Sequence, residues 1–331
     1  MKLKSLFKSI KSINIKSTLH HLTIFLICSV LFLSSTMQVV KTNADEKRKI
    51  VIASVYPVYE LSKMVCGDLA DVELFIPAGT DVHTYEPSAK DILKLQNADV
   101  FVYNGAGLEH WAQSIIDSLN NDKLTVVCAS DAVTLLGDRV SKKTGKRKQT
   151  EAGHNRKGHF DPHTWLTPEN AKLEMQEIKD NMVKADPSNA EKYEANYQVA
   201  ASKFDDLQKK YEDSLKDLKS NKIVVSHEAF GYLCDQFDLE QVAIQGLEPE
   251  SEPSPTRIAE IIEIIKKDGI KTVFFETGES SKTSDAIAAE TEASVSVLRP
   301  MEYLTAEEEA EGTTLFDLFE KNLEALEKAL K

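Results

Sequence analysis

Short apolar runs alternate with amphipathic segments along most of the chain from residue 49 onward. Runs of about four to eight apolar residues are typical of buried strands, whereas apolar residues that recur every three or four positions are typical of helices. In the first half, this pattern predicts strands at 49–55, 72–77, 99–105 and 124–130 and helices at 56–67, 86–98 and 108–120. Strands that alternate with helices indicate parallel βα units, because parallel strands need a crossover connection.

The second half repeats the alternation. Strands are predicted at 222–227, 241–246, 271–276 and 294–299, with helices at 228–237, 255–269 and 281–292 and a last one from about Thr313. The chain is long enough for two separate cores. We therefore predict an N-terminal α/β lobe at 45–185 and a C-terminal α/β lobe at 219–331.

One long helix is predicted between the lobes, over residues 186–218. Its apolar residues, beginning with Tyr193 and Tyr197, step by three or four positions to Leu218, and no proline or glycine interrupts them. About 30 residues at about 1.5 Å each make roughly 45 Å of helix, which is long enough to brace two lobes. The predicted fold class is α/β, with two (β/α) lobes of parallel-sheet type joined by one long rigid α-helix.

The first 44 residues have the pattern of an export signal. Lysines precede an almost wholly apolar stretch at 22–40, and Thr42-Asn43-Ala44 lies where cleavage is expected. This predicts an extracytoplasmic protein, secreted or associated with the cell surface. The alternative is an uncleaved N-terminal anchor at the membrane, since about 20 apolar residues can span a bilayer. Cys28 follows Ile27 in the middle of the apolar stretch, which does not fit a lipoprotein signal.

The charge of the chain narrows the range of partners. It has 40 basic and 53 acidic residues, a net charge of −13, and residues 1–44 hold six lysines and no acid, so the rest carries −19. An acidic surface disfavours nucleic acid as a partner and favours the approach of cations. Residues 137–159 depart from this trend, because they are polar and basic. We expect them to form a surface loop.

Three cysteines lie beyond the expected signal, at Cys66, Cys128 and Cys234. An exported protein can form disulfides, but an odd number of cysteines without zinc-knuckle spacing defines no pairing. Each cysteine has apolar neighbours in the sequence. We expect buried structural thiols.

Three histidines lie in segments that are typical of strand ends or tight turns. They are His83 in GTDVHTYEPSAKD, His163 in FDPHTWLTPENA and His227 in IVVSHEAFGYL. Glu302 follows another predicted strand, in VLRPMEYLT, and Glu276 at the end of KTVFFE is a rival carboxylate. Ligands of open α/β sheets bind beyond the carboxyl ends of the strands, so these side chains are expected to converge in a cleft between the lobes. Three imidazoles and one carboxylate form a tetrahedral set that suits zinc.

Long motifs surround these residues in a fixed order along the chain. They are SVYPVYELSK, VELFIPAGTDVHTYEPSAKD, ADVFVYNGAGLEHW, DPHTWLTPENA, HEAFGYL, QVAIQGLEPESEPSPTRIAEI and LRPMEYLT. The motifs resemble those of the metal-binding (cluster A-I) solute-binding proteins of bacterial ABC importers, and most of all the zinc receptors of the AdcA/ZnuA type. This resemblance implies two lobes on a backbone helix, with His83, His163 and His227 as imidazole ligands and Glu302 as the carboxylate ligand.

The resemblance also implies a function. It predicts a high-affinity receptor, not an enzyme, that captures Zn²⁺ and delivers it as a monomer to an ABC permease driven by a separate ATPase. One feature departs from the family: zinc receptors often carry a His-rich acidic loop, whereas the equivalent stretch here has only His154 and His159 among lysines and arginines. A basic loop repels cations, so this stretch is not expected to gather metal.

Three alternatives remain open. A manganese or iron receptor of the same family would hold its ion with two histidines and two carboxylates, which makes His227 the deciding residue. A zinc hydrolase needs an open position for water, and the chain has no His-Glu-x-x-His motif. A surface adhesin with a structural zinc would unfold without its metal. For the receptor, binding is expected to weaken below about pH 6 as the imidazoles protonate.

Overall fold

The computed structural model describes residues 48–140, 147–150, 160–247, 252–277 and 281–331. The predicted export signal or anchor at 1–44 lies outside these residues, as do His154 and His159. In the part of the chain that is described, no helix combines the length and the apolar character that crossing a membrane requires.

The N-terminal lobe is built on a four-stranded parallel sheet with the order β2-β1-β3-β4. Its strands are β1 (Lys49–Ala53), β2 (Ala70–Leu74), β3 (Val100–Tyr103) and β4 (Thr125–Cys128). The connecting helices are α1 (Tyr56–Cys66), α2 (Ala89–Gln96) and α3 (Ala112–Ser118). The central strands β1 and β3 consist mostly of buried apolar residues, because a parallel sheet is covered by helices on both faces.

An antiparallel pair that the sequence pattern does not predict follows this sheet. It consists of β5 (Leu135–Val140) and β6 (Arg147–Thr150), which pair with Leu135 opposite Thr150. The pair overlaps the segment predicted as a basic surface loop. An antiparallel ladder depends on backbone hydrogen bonds, so polar residues can form one without the apolar pattern that reveals a buried strand.

Two consecutive helices connect the lobes, α4 (Pro168–Ala185) and α5 (Ala190–Ser214). The long helix α5 has 25 residues and is shorter than the predicted range 186–218. It begins later because Pro187–Asn189 form a separate 3-10 turn, in which the carboxylate of Asp186 accepts hydrogen bonds from Ser188, Asn189 and Tyr193. At about 1.5 Å per residue, α5 is roughly 37 Å long.

The C-terminal lobe contains a second four-stranded parallel sheet, with the order β10-β9-β7-β8. Its strands are β7 (Lys222–Val225), β8 (Glu240–Ala243), β9 (Thr272–Phe275) and β10 (Ser294–Val297). Its helices are α6 (Gly231–Phe237), α7 (Pro255–Asp268), α8 (Lys282–Thr291), α9 (Ala306–Glu311) and α10 (Leu315–Leu330). The prediction of two parallel-sheet α/β lobes is confirmed.

Helix α5 packs against both lobes. On the N-terminal side, the amide of Asn196 donates to the carbonyl of Val65 in α1 at 2.9 Å. On the C-terminal side, Tyr211 Oη donates to the carbonyl of Phe319 in α10 at 2.6 Å, and the rings of Phe204 and Phe316 lie 4.6 Å apart. Buried apolar residues from the two lobes and from α5 belong to one continuous cluster. The lobes are therefore attached to the same helix through a common core.

The cysteines carry free thiols in the part of the chain that is described. Cys66 and Cys234 are buried and Cys128 is half-buried. Burial raises the pKa of the Cys66 thiol and of the Cys128 thiol to about 12. These two thiols therefore stay protonated at neutral pH and are poor nucleophiles, which fits the expected structural role.

Candidate metal centre

His83 lies in the loop between β2 and α2. The carboxylate of Asp81 accepts hydrogen bonds from the backbone N–H of His83 at 2.9 Å and from the hydroxyl of Thr84 at 3.0 Å, which closes a tight turn around the histidine. The neighbouring side chain of Val82 is only 1% exposed and anchors the loop in the core. The turn and the anchor hold the imidazole of His83 at the boundary between the lobes.

His163 lies between β6 and α4, directly before a 3-10 turn (Thr164–Leu166). The buried side chain of Asn104, next to the end of β3, holds this segment on both sides of the histidine. Its amide donates to the carbonyl of Pro162 at 2.8 Å, and its side-chain oxygen accepts from the hydroxyl of Thr164 at 3.1 Å. His163 itself is fully buried.

His227 follows β7, and Glu276 follows the neighbouring strand β9. Val224 pairs with Val273 in the parallel ladder, so His227 and Glu276, three residues further along each strand, reach the same level of the sheet. Oε1 of Glu276 accepts a hydrogen bond from Nδ1 of His227 at 2.6 Å. Glu276 is therefore a hydrogen-bond partner of His227, a role that the sequence interpretation missed although the equal distance from two strand ends is visible in the sequence.

The structure brings together His83, His163, His227 and Glu302, all four residues predicted from the sequence. One donor atom from each lies within 4.8 Å of the other three. Nε2 of His83 and Nε2 of His163 are each 3.2 Å from Oε1 of Glu302, and Nε2 of His227 is 3.2 Å from Nε2 of His163. The four side chains thus face a single point.

These distances match the edge lengths of a small tetrahedron. Zinc–nitrogen and zinc–oxygen bonds of about 2.0–2.2 Å at tetrahedral angles place neighbouring donor atoms about 3.3 Å apart. Of the six separations among the four donor atoms, three are 3.2 Å, that from Nε2 of His227 to Oε1 of Glu302 is 3.8 Å, and the two from His83 to the other imidazoles lie within 4.8 Å. The donor set therefore has the size and the chemistry for a tetrahedral divalent ion.

Burial of the four side chains encloses this point. His163 is 0% exposed, His227 2% and Glu302 7%, and the side chain of His83 is 5% exposed. A metal bound here would exchange its water for protein ligands, which is the condition under which charged and polar donors bind strongly.

Carboxylates behind two of the imidazoles set their tautomers. Nδ1–H of His163 donates to Asp161 at 2.9 Å, as Nδ1–H of His227 donates to Glu276 at 2.6 Å. In a neutral imidazole this leaves Nε2 as the atom with a free lone pair, and in both residues Nε2 points at the cluster. Both rings are therefore oriented to donate to a metal.

The electrostatics of the site favour the protonated form of the three imidazoles and the ionised form of Glu302. Burial alone would lower the pKa of each of the three imidazoles, but the hydrogen bonds and negative charges of the neighbouring carboxylates outweigh it and raise the pKa of His83, His163 and His227. Burial alone would likewise raise the pKa of Glu302, yet hydrogen bonds from His163 and His83 hold it well below its ordinary value. Glu302 is therefore a carboxylate at neutral pH.

Hydrogen bonds across the lobe boundary hold the two halves of the site together. The indole N–H of Trp165, two residues after His163, donates to the carbonyl of Pro300 at 2.7 Å. The hydroxyl of Tyr232 in α6 donates to the carbonyl of Asp161 at 2.9 Å and accepts from the backbone N–H of Leu136 at 3.2 Å. The segments that carry His163 and Glu302 are thus tied directly to each other.

Both lobes contribute metal-donor side chains to one buried point, which is the architecture of a two-lobed metal-binding protein. A comparison with known protein families shows to which family this metal-binding protein belongs. Residues 51–329 match the family described as "Zinc-uptake complex component A periplasmic", ZnuA, and the chain belongs to that family.

Individual relatives agree with this assignment. The chain is 38% identical over 306 residues, 90% of its length, to the zinc-binding protein AdcA of Streptococcus pyogenes, and it spans 59% of the length of that relative. It is 36% identical to the high-affinity zinc uptake system protein ZnuA of Bacillus subtilis, over 88% of this chain and 91% of that one. The crystal structure of Zn(II)-bound AdcA from Streptococcus pneumoniae superposes with a TM-score of 0.73 at 36% identity, covering 85% of this chain and 57% of that chain.

Proposed function

We propose that this protein is an extracytoplasmic zinc receptor that captures Zn²⁺ between its lobes and delivers it to an ABC permease powered by a separate ATPase. His83, His163, His227 and Glu302 would be the four ligands. The observation that carries the proposal is the convergence of three imidazole nitrogens and one carboxylate oxygen within 4.8 Å, in a buried site between two lobes. Membership of a family described as a zinc-uptake component supports the transport role.

The third imidazole favours zinc over manganese. Manganese and other hard ions prefer oxygen donors, whereas imidazole suits zinc. In this site Glu276 is occupied by its hydrogen bond to Nδ1 of His227, so the second carboxylate lies behind the ring and not among the converging donors. The donor set available to the ion is therefore three nitrogens and one oxygen.

The number of protein ligands also supports a site that binds zinc without catalysing a reaction. A catalytic zinc keeps one position open for water or substrate, while four protein ligands complete a tetrahedron. Release of the cargo then requires one ligand to move away.

The location and partners of the receptor are part of the same proposal. The export pattern of residues 1–44 and the family description as periplasmic both support a place outside the cytoplasm. There, residues 45–331, with a net charge of −19, attract divalent cations. We propose that it acts as a monomer that meets the permease at the membrane surface.

Metal competition tests the proposed function. Residues 45–331, stripped of metal, would be offered equimolar Zn²⁺, Mn²⁺, Fe²⁺ and Ni²⁺ and then examined by native mass spectrometry. We expect one zinc per chain. Preferential uptake of manganese would make the protein a manganese receptor, and failure to retain any metal would refute the four-ligand site.

The pH dependence of zinc binding should begin at a higher pH than the sequence alone suggested. The pKa of each of the three imidazoles is raised above its ordinary value of about 6.5. Zinc needs neutral imidazoles, so protons already compete above pH 6.5, and the affinity should fall steadily as the pH drops towards 5.5. Calorimetric titrations in buffers of different ionisation enthalpy would count the protons released per zinc.

The stability of the metal-free protein should follow the opposite trend. A histidine whose pKa is raised by folding stabilises the protein fully below its unfolded pKa of about 6.5, and this contribution is lost as the pH rises through the higher folded pKa. The melting temperature without metal should therefore fall as the pH rises above 6.5. Over the same range, the increase in melting temperature that zinc produces should become larger. A zinc affinity that stays constant between pH 7.5 and 5.5 would contradict the proposed imidazole ligands.

A further inference from the structure

Glu302 lies in a loop with an unusual backbone conformation. The loop connects β10 to α9, and Met301 in it has a φ of +63°, in the left-handed region that residues with a β-carbon seldom adopt. Met301 is completely buried, so it cannot relax by moving into solvent. Such a conformation persists only where the surroundings hold it. The loop that carries the carboxylate among the four candidate ligands is therefore held in place by the residues packed around it.

Arg299 supplies the central restraint on this loop. Its guanidinium Nη2 donates to the carbonyl of Tyr303 at 2.7 Å, which closes the segment 299–303 into a ring with Glu302 inside it. Nη1 lies 3.2 Å from Oε2 of Glu308 in α9, so the positive charge is balanced locally. The residue is only 4% exposed. Arg299 therefore acts on Glu302 through the backbone and not by direct ion pairing.

Arg299 is itself fixed to the body of the C-terminal lobe. Its backbone N–H donates to the side-chain oxygen of Asn322 at 2.9 Å, and the amide of Asn322 donates back to its carbonyl at 2.8 Å. Asn322 lies in the middle of α10, the helix that packs against α5. Arg299, the first residue of the loop, is thus fixed to α10 by two hydrogen bonds. Its guanidinium in turn bonds the carbonyl of Tyr303, the last residue of the loop.

Tyr303 completes the restraint at the other end of the loop. Its hydroxyl donates to the carbonyl of Thr277 at 3.0 Å, directly after Glu276, the partner of His227. Its ring lies 5.7 Å from the guanidinium carbon of Arg299, within the range of a cation–π contact. The side chain of Tyr303 therefore connects the loop that carries Glu302 to the segment that carries Glu276, the hydrogen-bond partner of His227.

We propose that Arg299 is a positioning residue for Glu302: with Tyr303, it holds the loop 299–303 in the one conformation that places the carboxylate against the three imidazoles. This inference rests on the proposed function, because it concerns the same ligand set. Arginine suits this position because one nitrogen of its planar fork donates to the Tyr303 carbonyl while the other lies within ion-pair distance of Glu308, whereas lysine presents one compact ammonium group. Loss of the tie frees Glu302 to leave the ion, and water takes its place.

The substitution Arg299→Lys tests the proposal with a control from the same chain. Arg257 makes a comparable pair of contacts on a 37% exposed side chain away from the site: Nη2 donates to the carbonyl of Ala243 at 2.6 Å, and Nη1 to Glu260 at 3.3 Å. Arg299 lines a cavity of about 520 Å³ whose other lining residues are mostly polar, so a lysine there opens no gap in the apolar core. Arg257→Lys is therefore the control for the loss of a guanidinium fork away from the site.

Two readouts separate positioning from a general loss of stability. The rate of zinc release to an excess of a fluorescent chelator should rise about tenfold in Arg299→Lys, by analogy with substitutions that disturb the support of a metal ligand. The visible absorption of bound Co²⁺ should weaken as a four-coordinate ion gains water. Both readouts should match wild type in Arg257→Lys. Melting of the metal-free proteins shows whether each variant is folded.

The outcomes are distinct. Equal changes in both variants, or no change in either, would overturn the positioning role. If Arg299→Lys does not fold, Arg299→Gln carries the test, because it removes the guanidinium without placing another positive charge in the buried site; wild-type zinc release and a wild-type cobalt spectrum in that variant would refute the proposal. A wild-type protein that gives no four-coordinate cobalt spectrum would instead disprove the ligand set of the proposed function, and the inference with it.

Discussion

Replacement of His227 by alanine should weaken zinc binding about a hundredfold. Four-ligand structural zinc sites bind with about 10–16 kcal/mol, so an equal share for one donor of four is roughly 2.5–4 kcal/mol, and about 1.4 kcal/mol corresponds to a factor of ten in Kd. Nε2 of His227 is one of the converging donors, 3.2 Å from Nε2 of His163. Its loss also leaves the buried carboxylate of Glu276 without its 2.6 Å partner.

Chelator competition followed by fluorescence would measure the affinity of this variant. His110→Ala is the matched control, because His110 is a histidine with a 49% exposed side chain that contacts Glu86 and lies outside the four-residue set. The control should bind zinc as wild type does. Zinc binding of wild-type strength in His227→Ala would remove His227 from the site and, with it, the argument for zinc over manganese.

Removal of zinc should leave the protein folded, and its return should raise the melting temperature by about 10 °C. The folded state rests on the apolar cluster shared by the lobes and α5, which does not include the site. Hydrogen bonds donated to the carboxylates of Asp161 and Glu276 also hold two of the imidazoles without a metal. A ligand present at about 1,000 times its Kd adds about 4 kcal/mol, and about 1 kcal/mol shifts the melting temperature of a chain of this size by roughly 2–4 °C.

Scanning calorimetry of the stripped protein at increasing zinc concentrations would test this expectation. The melting temperature should rise with the logarithm of the free zinc concentration, and His227→Ala should show a much smaller rise. A stripped protein that is unfolded at 25 °C would mean that the zinc is structural. That result would favour the adhesin alternative over the receptor.

Element types were predictable because they depend on local patterns. The apolar runs of β1, β3, β7 and β9 and the regular spacing in α5 each lie within a short stretch of sequence. The limits of α5 were less predictable, since its first turn is displaced by a cluster of hydrogen bonds around Asp186. The β5–β6 pair was missed for a related reason: its strands are stabilised by pairing with each other and carry no apolar alternation.

The residues of the candidate site were also predictable in part from local sequence and in part only from the structure. Histidines at His83, His163 and His227 stand out in the sequence because they follow predicted strands or turns within distinctive motifs. Residue patterns alone left Glu276 as a rival to Glu302 for the fourth position, and the motif resemblance selected Glu302. The structure gives the physical reason for that choice: the carboxylate of Glu276 contacts the outer nitrogen of His227, whereas the carboxylate of Glu302 faces the inner nitrogens of two histidines.

The sequence by itself determined the strand and helix order, the parallel sheets and the chemical types of the donors, because periodicity and residue chemistry are properties of short segments. Tertiary structure alone decided that four loops, spread over more than 200 residues from His83 to Glu302, meet within 4.8 Å. It also decided which nitrogen of two imidazoles faces inward and that Arg299 closes the loop of Glu302. These distances depend on how two lobes pack on one helix, and no local stretch of sequence contains that information.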